Sequence, residues 1–344
     1  MNEPRNALFI QLRRIGDVLM CTPAIRAFKK QFPDCRLDFL TEIPDVLKGN
    51  PYLNSVIDSD SSRKINFIHQ YRLLRRIRAS RYDLVVDFFA NPRSAYYTFV
   101  SGAAIRLSYG FGHRRWAYNL VPRKSEDPVY AAFDRLRLLE AIDVRPDGPA
   151  LDFFVSEEDR ENARRLVPFE NGRLLVTISP VSRRAFNRWP PENYVLLADK
   201  LAIELNAQAL ILAGPGEEKI AESIGRHMKI EPLIPRVRTL GVLGAIFELA
   251  HLHIGNDNGP KHIAVARGLP TLTIYGPHSH ISWTYPDYRR HRWVLPSDHC
   301  SECLKGKHVI GPDCIKRIPP EAVFNLARQL IDDLKIAHPV FPER

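Results

Sequence analysis

The sequence predicts an α/β protein built from two facing, doubly wound domains with a cleft between them. Three observations predict it. Short apolar runs alternate with amphipathic helical patterns in both halves, a polar stretch bearing prolines and glycines separates the halves, and 344 residues exceed one ordinary core.

In the first half LFIQL (8–12) reads as a buried strand, a helix follows over about 17–31, and RLDFL (36–40) reads as the second strand. SVIDS (55–59) and DLVVDFF (83–89) are strand-like, and YAAFDRLRLLEAI (130–142) is a helical pattern. The stretch 145–174 carries Pro146, Gly148, Pro149, Pro168 and Gly172 and reads as the interdomain connection. The alternation then restarts. Strands are expected at 173–180, 207–214, 252–257 and 271–277, with helices at 192–205, 217–228, 240–250 and from 259. A last helix is expected at 319–334. The resulting domains are 1–165 and 170–325, with a tail at 326–344 available to pack back on the first domain.

Composition narrows the function. No apolar run approaches the roughly 20 residues of a membrane-spanning helix, and the N-terminus lacks a signal-peptide pattern, so a cytoplasmic product is expected. A net charge of +10 favours an anionic partner. Between Arg63 and Arg81 seven basic residues occur with no acidic one: Arg63, Lys64, Arg72, Arg75, Arg76, Arg78 and Arg81. Phe67, Tyr71, Leu74 and Ile77 interleave at helical spacing, which predicts a basic amphipathic helix. Such a helix can be a solvated face over the core, or a surface for anionic headgroups or a phosphorylated acceptor.

Two constellations carry chemistry. In LRRIGDVLMCTPAI (12–25) Gly16 permits a tight turn after the first strand, and Asp17 falls at or near a helix start. Aspartate there is ordinary capping chemistry. It also lies where open α/β sheets place ligands, so its carboxylate could take a proton from an attacking hydroxyl, with Arg13 and Arg14 suited to phosphate. In HIGNDNGPKHIAVARG (253–268) a strand delivers Asn256 and Asp257, Asn258 and Gly259 turn the chain, and a helix starts near Pro260. Its amides suit a pyrophosphate, while Lys261 and His262 add donors. No GxGxxG follows the first strand, which disfavours a nicotinamide oxidoreductase, and no zinc-finger, helix-turn-helix or RNA-recognition signature supports nucleic acid as a partner.

RIGDVLMCTPAI, NDNGPKHIA with the following YGP, and SRRAFNRWPPENYVLLA (182–198) resemble, in order and spacing, the signature regions of glycosyltransferase family 9, the lipopolysaccharide heptosyltransferases. The resemblance implies a GT-B fold of two Rossmann-like domains, an ADP-sugar donor held by the second domain and a phosphorylated glycolipid acceptor at the inner membrane face held by the first. It implies inverting transfer without a metal cofactor, with Asp17 as general base. Asp257, Asn258, Gly259 and His262 match its donor region, and Glu217 or Glu218 falls where the family places a carboxylate for the ribose. Where the family has a lysine two residues before Trp-Pro this chain has Asn187, so Arg183, Arg184 or Arg188 would supply that charge. The departure leaves open a different sugar nucleotide, or a weak member that binds without transfer. His278 and Ser279 stand where the family shows threonine or serine. Cys300, Cys303 and Cys314 have the ligand types of a zinc site at irregular spacing, and structural zinc is not expected.

Overall fold

The computed structural model describes residues 3–59, 67–110, 112–168, 172–276, 280–296 and 313–336. The chain divides into two compact units, Met1–Phe154 and Val155–Arg344. The first holds strands β1 (Asn6–Ile10), β2 (Arg36–Thr41), β3 (Ser55–Asp58), β4 (Leu84–Asp87) and β5 (Ile105–Leu107). Its helices are α1 (Ile15–Leu19), α2 (Thr22–Gln31), α3 (Phe67–Ala79), α4 (Pro92–Ser101) and α5 (Ala131–Glu140). All pairings are parallel in the order β3-β2-β1-β4-β5. The order reverses between β1 and β4, and the crevice at such a switch point is where doubly wound sheets take ligands.

The second unit is also a five-stranded parallel sheet, with a different strand order. Strands β6 (Leu174–Ser179), β7 (Ala207–Ile211), β8 (Leu252–Asn256), β9 (Thr271–Ile274) and β10 (His291–Val294) pair in parallel in the order β10-β9-β8-β6-β7. Helices α6 (Glu157–Leu166), α7 (Pro191–Leu205), α8 (Glu218–His227), α9 (Leu240–Leu249), α10 (Gly259–Ala266), α11 (His280–Trp283) and α12 (Pro320–Asp333) belong with it. Here the switch falls between β6 and β8. The central strands are apolar and covered on both faces, with β4, β6 and β8 buried throughout.

Several local details differ from the sequence reading. The helix expected over 17–31 is two helices, because Pro23 has no amide to donate and sits where α2 restarts. Thr22 Oγ1 closes the break by donating to the Leu19 carbonyl at 2.8 Å. The tight turn before α1 is made by Arg14, at φ 72°, and not by Gly16. On α3 the core-facing residues are Leu73 and Ile77, whereas Phe67 and Tyr71 are exposed. The region read as a connection contains α6, which opens with a capping box between Ser156 and Asp159 and goes with the second unit, so the units part near 154 and not near 165. The final helix packs within the second unit, its Val323, Phe324, Ala327 and Leu330 joining the core of Trp189, Tyr194 and Leu197.

Candidate functional site

In the first unit the chain leaves β1 through Gln11 and Leu12, turns at Arg14 and places Asp17 in the first turn of α1. Arg14 has φ 72° and ψ 130°, a conformation side chains disfavour. Across the switch point the β4–α4 loop has a second such residue, Ala90 at φ 50°. Buried Asp87 holds that loop: its Oδ1 accepts from the amides of Phe89 and Ala90 at 3.0 and 2.9 Å, and its Oδ2 accepts from Tyr118 OH at 2.8 Å. Burial pushes the Asp87 carboxyl above its ordinary range. Strain of this sort persists where surrounding bonds over-determine the loop.

Asp17 keeps its side chain partly exposed, and the Arg135 guanidinium stands 3.7 Å from its Oδ1. Cys21 donates its thiol to the Asp17 carbonyl oxygen at 3.3 Å, and burial pushes that thiol up to about 12, so it stays neutral. Arg13 Nε bonds both carboxylate oxygens of Glu42, at 3.1 and 3.0 Å, and Arg93 pairs with the same carboxylate. Arg114 Nε donates to the Ala90 carbonyl at 2.7 Å. Arg14 is exposed. Of the two phosphate-suited arginines in the sequence, only Arg14 therefore keeps its head group clear of an ion pair among the described residues. Arg135, Arg93, Arg114 and Glu42 were not legible as site residues, since each comes from another element; the sole sequence signal was arginine on the buried-patterned α5.

In the second unit β8 ends at Asn256, and Asn258 caps α10 by accepting from the Lys261 amide at 3.1 Å. Pro260 has no amide, so of the first three helical positions only Gly259 keeps one that the cap does not take. Asn258 Nδ2 donates to Ser179 Oγ and the Val181 carbonyl, at 3.0 and 2.9 Å. Behind it, His253 sits between Ser179 Oγ and Thr177 Oγ1, both at 3.0 Å. Burial pushes His253 down to about 3, so the ring is neutral and acts as a spacer. Gly255 is required here, because a Cβ would lie 2.2 Å from Ser179 Oγ. Asn256 is structural: its Oδ1 accepts from the Trp189 amide and from Tyr194 OH.

Lys261 is not a free donor. It is buried, and its ammonium is shared among Asp257 Oδ1 at 2.5 Å, Tyr275 OH at 3.1 Å and the Trp283 carbonyl at 2.8 Å. Burial lowers its pKa and Asp257 opposes that shift. His262 Nε2 lies 3.7 Å from the same Asp257 oxygen, and its ring is held neutral by burial and by Lys261. Its Nδ1 is buried with no hydrogen-bond partner among the described residues. Asp257 is thus the solvent-reaching end of a buried cluster, its side chain 18% accessible.

Glu217 spends its carboxylate on its own turn, Oε2 accepting from the Gly214 amide at 3.0 Å. Glu218 is exposed, and amides of Glu218 and Gly216 hold its carboxyl below the usual range. Asn187 is buried, its Oδ1 turned toward Gly276, where a Cβ would approach to 2.8 Å. Arg188 is exposed, with Nε anchored on the Ser182 carbonyl at 2.6 Å, and Arg183 and Arg184 are exposed beside it. Cys314 is buried; Cys300, Cys303, His278 and Ser279 lie outside the described residues. Among the described residues no group of three or more His, Cys, Asp or Glu could hold a metal ion.

The model of glycosyltransferase family 9 (heptosyltransferase) matches residues 70–312, more than two thirds of the chain. The chain belongs to glycosyltransferase family 9. It is a glycosyltransferase, and it is 28% identical over 291 residues to lipopolysaccharide heptosyltransferase 3 of Escherichia coli, covering 79% of this chain and 84% of that one. Its fold is that of the family 9 glycosyl transferase from Veillonella parvula, at TM-score 0.85 and 21% identity over 96% of this chain and 98% of the other. It is also that of E. coli heptosyltransferase WaaC with ADP-2-deoxy-2-fluoro heptose, at TM-score 0.71 and 16% identity over 94% and 99% of the two chains. The family match begins after the segment holding Asp17, so that residue rests on its own geometry.

Proposed function

We propose that this family 9 enzyme moves a heptose from ADP-heptose to a phosphorylated glycolipid of the lipopolysaccharide core, with inversion and with Asp17 as general base. The observation that carries the reading is Asp17 itself. It is a partly exposed carboxylate at the switch point of the first sheet, among loops whose other charged groups there are mainly arginines. The acceptor hydroxyl gives its proton to an Asp17 oxygen while its own oxygen attacks the anomeric carbon. The bond from that carbon to the ADP oxygen breaks on the opposite face, and ADP departs. Arg135 beside Asp17 orients the carboxylate; Arg14 is the group placed to meet an acceptor phosphate.

The donor reading rests on α10. Asp257, backed by Lys261, takes sugar hydroxyls; the Gly259 amide and the arginines 183, 184 and 188 meet the pyrophosphate; Glu218 takes the ribose. Asn258 and His262 support that surface from behind, and Glu217 closes its turn. ADP-heptose as the donor draws support from the relatives named heptosyltransferase and from the solved WaaC complex. Cations of the protein cover the leaving group, and no metal ion is assigned a part. A glycolipid acceptor supports a peripheral position at the inner face of the inner membrane; no helix among the described residues is long and apolar enough to cross one.

Incubation with ADP-heptose and a truncated phosphorylated core glycolipid, in the presence of EDTA, tests the reading by mass spectrometry. An acceptor heavier by one heptose, with an equivalent of ADP, is the expected product. Donor binding without transfer would instead mark a weak member of the family, and transfer only from another sugar nucleotide would overturn the donor.

A further inference from the structure

We infer that the solvent face of α3, α4 and the 3₁₀ segment Gly112–Ala117 is a docking surface for an anionic lipid bilayer. The inference deepens the glycolipid reading and rests on it for its purpose. Among the described residues of the first unit, every exposed large hydrophobic lies on these three elements. Phe67 is 78% exposed, Ile68 65% and Tyr71 65% on α3; Tyr96 and Phe99 follow on α4, and Trp116 on the 3₁₀ segment.

The helical wheel makes this more than scatter. At about 100° per residue, Leu73 and Ile77 point to one side of α3, while Phe67, Ile68, Tyr71, Arg72 and Arg75 cover the other. A helix over a core ordinarily shows polar residues on its outer face. Here that face begins apolar and ends in arginine. The three elements are tied together: Tyr97 OH of α4 donates to Gln70 Oε1 of α3 at 2.7 Å, and the Phe99 and Trp116 rings meet edge to face with their centroids 5.2 Å apart.

Charge selects the occupant. No Asp or Glu occurs in α3, α4 or 112–117, against Arg72, Arg75, Arg76, Arg78, Arg93, Arg114 and Arg115. Arg76, Arg78, Arg93 and Arg114 bond to the protein, while Arg72, Arg75 and Arg115 are exposed. Each basic residue near an anionic leaflet adds to the attraction, and aromatic side chains seat at the headgroup boundary. A lipid surface fits better than nucleic acid, since Ile68 has no ring to stack on a base and Phe99 and Trp116 close edge to face on each other.

The test is sedimentation of the full chain with vesicles of phosphatidylethanolamine and phosphatidylglycerol, and of phosphatidylcholine alone, all without acceptor. Binding to the anionic vesicles that weakens with salt is expected. The combined change Phe67→Ser, Ile68→Ser and Tyr71→Ser is expected to lower affinity at least about tenfold even at low salt, and Arg72→Gln with Arg75→Gln to flatten the salt dependence. Both variants should transfer to a water-soluble truncated acceptor like the wild type. Equal sedimentation with both vesicle types, or full binding by the triple variant, overturns the inference. So does a dimer that the triple change splits, which assigns the face to a second copy, or binding to RNA but not vesicles. Loss of transfer to the soluble acceptor by the wild type, with vesicle binding intact, sinks the transferase reading and leaves the docking surface standing.

Discussion

The two switch points of this molecule each lie in a five-stranded parallel sheet, between the first and fourth strands of one unit and the first and third of the other, and their physics is opposite. At the first, charged side chains reach solvent from several loops, and strain is held in the backbone at Arg14 and Ala90. At the second, the side chains turn inward: Lys261, His262 and His253 are buried, neutralised or neutral, and brace a loop that offers Asp257 and a helix amide. The first arrangement tolerates exchange of its exposed arginines, because a water-facing cation costs little to move. The second does not, because each buried polar group depends on its partner. In the proposed reaction that contrast suits a glycolipid acceptor on one side and a fixed nucleotide on the other.

The contrast can be broken most sharply at Asp17. Asp17→Asn removes the proton acceptor and keeps the shape, so kcat is expected to fall by about a hundred to ten thousandfold, while ADP affinity in calorimetry is unchanged. A variant that turns over within a few fold of wild type would remove Asp17 from the reaction. Next comes Lys261→Met, which leaves the Asp257 carboxylate without its ammonium. With Asp257 partly exposed, the expected loss in urea unfolding is about 2–3 kcal/mol, together with weaker ADP binding. Stability unchanged by the substitution would show that the buried pair braces nothing.

A pH series sharpens the same comparison with a smaller effect. His253 is held down to about 3 and His291 to about 4, and His262 lies well below its ordinary value, all by burial. These imidazoles are neutral when folded, so below about pH 6.5 the unfolded chain binds protons that the folded one refuses. Their contribution is full above pH 6.5 and is lost as the pH falls toward 4, by up to about 1.4 kcal/mol per pH unit for each ring. Asp87 in the first unit has the opposite sign: its raised carboxyl binds a proton more readily when folded, so acid adds stability there. Hydrogen exchange between pH 7 and 4.5 should therefore show the second unit loosening before the first. Simultaneous loosening would mean that the histidines do not set the acid response.

Much of the fold is legible because parallel strands buried on both faces leave apolar runs that need no partner to be recognised, as in LLVTIS and LHIGN. Elements were missed where that signal is weak. β5 has three residues, and α6 is so charged that it reads as linker although Ser156 and Asp159 announce its start. The Asn91–Ser94 capping box with Pro92 was the corresponding signal for α4. On α3 the spacing of Phe67, Tyr71, Leu74 and Ile77 is helical, but periodicity cannot say which face is turned to the core.

The sequence by itself determined two doubly wound units, the family, and the two strand-to-helix junctions at which Asp17 and Asp257 sit, because these depend on local pattern and on turn chemistry within a few residues. Only the tertiary structure decided what surrounds them. Arg135 reaches Asp17 across more than a hundred residues of chain, and Lys261 turns from an offered donor into a buried clamp once Tyr275 and Trp283 close over it. Charge and hydrogen-bond capacity are written in a residue's type; whether they are spent on the protein or left for a ligand is settled by the neighbours that folding brings.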